Sequence, residues 1–388
     1  MRFAFFSLRH DPYGASRLHI DLMNSLIERG HEVFYALPFW LVDAPFWLPC
    51  LAEKVDAMRV PRMGGFDAVF YSHADGYAAG YPLTPLVKRC DALRRFFILR
   101  TFLPGHIAIA DDPEIEKIAT SLWLYEQAEF YAGTAAAECA ARGASTTCSS
   151  SGRAGDSGVP ASCSLSAVWP GDSPTDFGDA GSPPLPAPPV HHCGIGEPAA
   201  PANRIHKVFG GVNLARFHAP ANDIRHGDAD AGGPPRVLFR HTRDSLDGTR
   251  LVMAALHEVQ ARGVEFVAEP FARDEPDILR QYSQSHVFVS GEPPWGSGWS
   301  SSVAEAMACG CSVVCGDVPA VRHLAEEGVT ARVVPPGNVE ALADAIEDLL
   351  TDAILRRLLV HAAAQRVAQY STERMAEQIL EIVERDGR

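Results

Sequence analysis

The sequence predicts an α/β protein of two halves, each a parallel sheet with helices packed on its faces. Apolar runs of strand length alternate with helical apolar periodicity before residue 143 and again after residue 204. A chain of 388 residues also suits two domains better than one core. The 34 basic against 48 acidic residues give a net charge of −14, which opposes non-specific nucleic-acid binding and polybasic attraction to anionic lipid. The partner expected is a small molecule.

Nine cysteines without metal-ligand spacing read as reduced thiols, which implies a cytoplasmic protein. The N-terminus meets Arg9, His10 and Asp11 too early for a secretory signal and reads as a first strand. Val33 to Ala52 is apolar enough to suggest a membrane span, but Pro38, Asp43, Pro45 and Pro49 interrupt it.

In the first half, Arg2 to Ser7 reads as a buried strand, and a loop with Gly14 leads into a helix carrying Leu18, Leu22, Leu26 and Ile27 on one face. Gly30 closes that helix, and His31 to Leu37 follows as a strand. Phe39, Trp40, Phe46 and Trp47 crowd into a proline-broken segment with two readings: aromatics folded back on their own domain, or a peripheral membrane contact. Phe66 to Ser72 reads as a third strand ending on His73 and Asp75. Carboxyl ends of parallel strands face the ligand crevice, so these two are catalytic candidates, although a structural histidine fits the same place. Arg95 to Thr101 is expected as a strand and Ile115 to Arg142 as mainly helix.

Residues 144–203 are built of Ser, Gly, Pro, Ala and Asp with stray cysteines and almost no apolar periodicity. Two explanations stay open: an inter-domain linker, or a displaced reading frame. His191, His192 and Cys193 lack a second ligand pair, so no zinc site is expected there.

In the second half Arg236 to Arg240 reads as a strand, Val264 to Ala268 as another, and His286 to Ser290 (HVFVS) as a third. The glycine-rich turn after it runs into Ser300, Ser301 and Ser302 and a helical segment of small residues, Val303 to Cys309. Gly310 ends the helix before the strand Ser312 to Cys315. Such a turn can aim backbone N–H groups and a helix N-terminus at a diphosphate. Glu305, one turn inside, is placed to accept from a ribose diol. Asn338 is expected to cap a helix carrying Leu342, Ile346 and Leu349, and Ser371 to Glu384 reads as a last amphipathic helix.

The string Gly298, Trp299, Glu305, Ala306, Met307, Ala308, Gly310 resembles the signature of retaining glycosyltransferases of the family 4 type (glycosyl transferases group 1), which have the GT-B fold. Glu28 to Val33 (ERGHEV) is similar to the first-domain opening of GT-B enzymes, and Gly211, Val212 and Phe217 to their entry into the nucleotide-binding domain. The resemblance implies two Rossmann-like domains facing a cleft: residues 1–143 for an acceptor, 204–370 for a nucleotide sugar, and a crossover helix at 371–388. It implies donor-binding roles for Gly14, Arg240, Arg243, Gly298, Trp299, Ser300, Ser301 and Glu305, with the arginines on the diphosphate.

Two positions depart from the pattern. Ser297 stands where the family has the first glutamate of its pair, which contacts the donor sugar, and Asp247 where it has a diphosphate-binding lysine. Ser297 is therefore a candidate catalytic position of altered chemistry, and Glu292 is the alternative source of that carboxylate. The function implied is transfer of a hexose or deoxyhexose from a nucleotide-diphosphate sugar to a glycan or lipid-linked acceptor, in polysaccharide or cell-envelope glycan synthesis. No metal or other cofactor is expected. A sugar-nucleotide epimerase or hydrolase of the same fold, and a degenerate non-catalytic chain, are the alternatives.

Overall fold

The computed structural model describes residues 1–8, 14–44, 48–72, 83–99, 109, 112–129, 204–219, 233–240, 248–271, 275–292 and 298–385. The segment 144–203 and both explanations of it lie outside these residues, as do His191, His192 and Cys193.

The first sheet holds β1 (Arg2–Phe6), β2 (Glu32–Leu37), β3 (Glu53–Asp56), β4 (Phe66–Tyr71), β5 (Ala92–Leu99), β6 (Glu116–Ala119) and β7 (Ile205–Lys207). They lie in the order β3-β2-β1-β4-β5-β6-β7, every neighbour parallel. Apolar runs such as Phe3 to Phe6 are buried throughout because helices cover both faces of a parallel sheet. The helix Gly14–Glu28 covers one face with Leu18, Leu22 and Leu26. Helix Thr372–Arg385 reaches back from the end of the chain to the same face, burying Met375, Ala376, Ile379 and Val383 there.

The second sheet holds β8 (Arg236–Phe239), β9 (Val267–Pro270), β10 (Val287–Ser290), β11 (Ser312–Gly316) and β12 (Arg332–Val334), all parallel, in the order β12-β11-β10-β8-β9. Helix Thr249–Ala261 and helix Val339–Thr351 cover one face, while helix Ser301–Ala308 and the end of Ala353–Val367 cover the other. Asn338 caps Val339–Thr351 as its sequence position predicts, its side chain accepting from the Ala341 amide at 3.0 Å.

Some local expectations need correction. Glu116–Ala119 is a strand, although Glu, Lys and Ala favour helix. Pairing between β5 and β7 overrides that preference, and the buried Lys117 ammonium donates to the Asp112 carbonyl at 2.6 Å. Helix is confined to residues 122–129 in the described part of that stretch. The strand expected at Val264 lies later, at Val267–Pro270, because Gly263 takes φ +86° just after the preceding helix and a short coil follows. Phe39–Val42 forms a single helical turn with no buried residue, in keeping with a proline-broken segment that holds no regular core helix; Phe39 and Trp40 are exposed. Phe46 and Trp47 lie outside the described residues. No described helix is long and apolar enough to cross a membrane.

Candidate functional site

Strand order locates the crevice of the second sheet. From β8 the chain goes to β9 on one side and then to β10 on the other, so the order reverses between β8 and β10. Ligands of open α/β sheets bind beyond the carboxyl ends of strands at such a point. Arg240 follows β8 there, and Gly291 and Glu292 follow β10.

The loops after β8 and β10 touch through two glycines. Gly248 has φ +71°, and a Cβ added to it would stand 1.8 Å from the Gly291 carbonyl oxygen. Only glycine meets both demands.

Helix Ser301–Ala308 points its N-terminus at this place. Ser300 is its N-cap, with extended backbone and an Oγ that accepts from the Val303 amide at 3.3 Å. The helix ends as its glycine predicts: Gly310 takes φ +79°, the Cys311 amide donates to the Ala306 carbonyl at 2.9 Å, and the Gly310 amide to that of Met307 at 3.2 Å. The amides of Ser301 and Ser302 have no acceptor within the helix, as in any first turn.

Glu292 meets that N-terminus. The Ser300 hydroxyl donates to Glu292 Oε1 in a short hydrogen bond, and Ser302 Oγ lies 3.5 Å from the same atom. Glu292 Oε2 is inaccessible to solvent and makes no hydrogen bond among the described residues. Burial pushes this carboxyl above its ordinary range, against the Ser300 hydrogen bond and the nearby charge of Arg240.

A second cluster surrounds Glu305, only 4% exposed. Its Oε2 accepts from the Tyr282 hydroxyl at 3.2 Å and pairs with Arg17 Nη2 at 3.2 Å. Burial pushes the Glu305 carboxyl up to about 7, with Arg17 the main opposing influence and the Tyr282 hydroxyl the next. Arg17 comes from helix Gly14–Glu28, in the first half, and its guanidinium lies 5.5 Å from the Phe217 ring centre. One turn later on that helix, Asp21 pairs with Arg216 at 3.1 Å and accepts from Asn213 Nδ2 at 3.0 Å. Burial raises the Asp21 carboxyl too, and Arg216 opposes it most.

The remaining candidates sort by place. Ser300, Ser301 and Arg240 stand at the switch point, with Glu305 one turn deeper. Gly298 packs against the first half: a Cβ there would fall 2.1 Å from Leu124 Cδ1. Trp299 is buried, its ring against Gly210 and 5.5 Å from that of Tyr370. Gly14 opens its helix. His73, Asp75, Arg243, Asp247 and Ser297 lie outside the described residues. Sequence reading missed Arg17, Asp21, Arg216 and Tyr282. The first two carried a signal, since charged residues one turn apart interrupt a helix whose neighbours Leu18 and Leu22 are buried.

Solved structures match this architecture along nearly its whole length. Sucrose-phosphate synthase from Thermosynechococcus elongatus aligns over 99% of this chain and 98% of its own, with TM-score 0.62 and 14% identity. HepE from Anabaena, solved in complex with UDP-glucose, aligns over 99% and 100%, also with TM-score 0.62 and 14% identity. At such identity the likeness is one of fold, and the fold is GT-B. Within it, residues 245–352 match the family model described as glycosyl transferases group 1. A phosphatidyl-myo-inositol mannosyltransferase from Mycolicibacterium smegmatis is 33% identical over 206 residues, which are 46% of this chain and 51% of that protein. An alpha-D-kanosaminyltransferase from Streptomyces kanamyceticus is 37% identical over 86 residues, 22% of each chain. The matches span about half, or less, of the length of these curated relatives.

Proposed function

We propose that the chain transfers a sugar, with retention at the anomeric carbon, from a nucleotide-diphosphate sugar to a glycan or lipid-linked acceptor. The observation that carries this reading is the convergence of Arg240, the capped N-terminus of helix Ser301–Ala308 and the buried Glu305 at the switch point of the second sheet. The group 1 match and the mannosyl- and kanosaminyltransferase relatives support it.

In this reading the amides of Ser301 and Ser302 and the charges of Arg240 and Arg243 balance the leaving nucleotide diphosphate, without a metal. Glu305 accepts from the ribose. Acceptor chemistry falls to the carboxyl ends of the first sheet, where His73 and Asp75 follow β4. A lipid-anchored acceptor would be met by the exposed Phe39 and Trp40, the protein working at the inner face of a membrane.

The test follows donor consumption with and without candidate acceptors. Product that appears only with acceptor supports transfer, acceptor-independent turnover would indicate a hydrolase or epimerase, and no turnover would indicate a chain that only binds. Calorimetry with UDP, GDP and dTDP identifies the nucleotide. Glu305→Gln is expected to weaken the preferred one by about 1–3 kcal/mol, the range for a charge-assisted hydrogen bond. Gln is chosen because Ala would leave the Arg17 charge buried with less to receive it. Unchanged affinity would remove Glu305 from the site.

A further inference from the structure

We propose that Arg17, supplied by the first half of the molecule, is the positioning residue that fixes the Glu305 carboxylate for the nucleotide ribose; this rests on the donor-site reading above. Both side chains of the pair are 5% exposed, and the pair joins helix Gly14–Glu28 to helix Ser301–Ala308. Arg17 and Tyr282 both engage Oε2. In this proposal the acceptor capacity of Oε1 is the part left for a ligand.

Arg17 is held for this contact rather than for its own satisfaction. Nη2 makes the ion pair, while Nε and Nη1 are buried and make no hydrogen bond among the described residues. A purely structural buried arginine would be expected to spend more of its five donors. Asp21, one turn on, locks the rotation of the same helix through Arg216 and Asn213. The two anchored residues thus set where the guanidinium stands.

Among the described residues, the charged and titratable groups facing Glu305 are Arg17 and Asp21 from helix Gly14–Glu28, Arg216 after Asn213, and Tyr282 from helix Glu275–Gln284. Arg17 is the largest influence that keeps the carboxyl from rising further than about 7. Losing it would leave Glu305 protonated at neutral pH, able to accept fewer hydrogen bonds from a diol.

The experiment titrates UDP, with GDP and dTDP in parallel, into the full chain, Arg17→Lys and Arg17→Met between pH 6 and 9. Wild-type affinity should rise as pH rises through about 7 and then level. In Arg17→Met the midpoint should move up by about one pH unit, giving a roughly fivefold loss at pH 7 that is regained at pH 9, and Arg17→Lys should stay near wild type. An equal loss at every pH, or no loss, overturns the inference. If no nucleotide binds the wild-type chain, the donor-site reading fails instead, and the pair is read from thermal unfolding. A carboxyl whose folded value is raised loses stability between its unfolded value of 4.5 and its folded value as pH rises. Arg17→Met should extend that loss above pH 7, and Glu305→Gln should abolish the extension. A fall in Tm that is the same at all pH, or that persists in the Glu305→Gln background, overturns it.

Discussion

Glu292→Gln is expected to lower sugar transfer by about two orders of magnitude, with little change in folding, whereas Ser297→Glu should leave donor preference unaltered. The glutamine keeps the shape of the side chain and can still accept from Ser300, so the N-cap of helix Ser301–Ala308 survives. What it loses is the ionisable carboxyl at the switch point, beside the charge of Arg240. A carboxyl oxygen buried with no partner among the described residues, beside a helix N-terminus, is a costly arrangement unless a ligand completes it. A donor sugar supplies the hydroxyls that would do so. Removing one such preorganised electrostatic contact typically costs about 10²–10³ in rate. The check is kcat and KM for both variants across a panel of donor sugars. A normal rate in Glu292→Gln, with a changed sugar preference in Ser297→Glu, would return the role to Ser297.

The fold was legible because its signals are periodic. Helical spacing in Leu18, Leu22 and Leu26 and the apolar runs Phe3 to Phe6 and Val287 to Ser290 announce elements that bury both faces of a parallel sheet. Capping was legible for the same local reason: Ser300, Gly310 and Asn338 act on their own helices. Glu116–Ala119 was not, since its strand exists only because β5 and β7 flank it. The site divides along the same line. Arg240, Ser300 and Glu305 lie within or beside local motifs, but the partner of Glu305 lies on a helix near the start of the chain. No spacing rule reads a contact of that sequence separation. That Glu292 Oε2 has no partner among the described residues is likewise a fact of packing, visible only once Ser300 and Arg240 stand around it.

Gly248→Ala should be the most damaging single-methyl change in the second half, and the comparison with Gly263→Ala shows why. Both glycines have left-handed backbone, φ +71° and φ +86°, so an alanine at either pays the same conformational penalty of about 1–2 kcal/mol. A Cβ at Gly263 would have nothing within 4 Å. At Gly248 it would stand 1.8 Å from the Gly291 oxygen, 2.7 Å from its carbonyl carbon and 2.9 Å from its Cα, all main-chain atoms that no rotamer change can move. The loops after β8 and β10 would have to part, and with them Arg240 and Glu292. We therefore expect Gly263→Ala to cost about 1–2 kcal/mol of stability and leave nucleotide affinity unchanged. Gly248→Ala should cost more than about 3 kcal/mol and weaken nucleotide binding at least about tenfold, since strain at a special backbone position adds to the clash. Denaturant melts and calorimetry on the two variants side by side make the check. Equal losses in both would mean that the contact between Gly248 and Gly291 does not hold the switch point together.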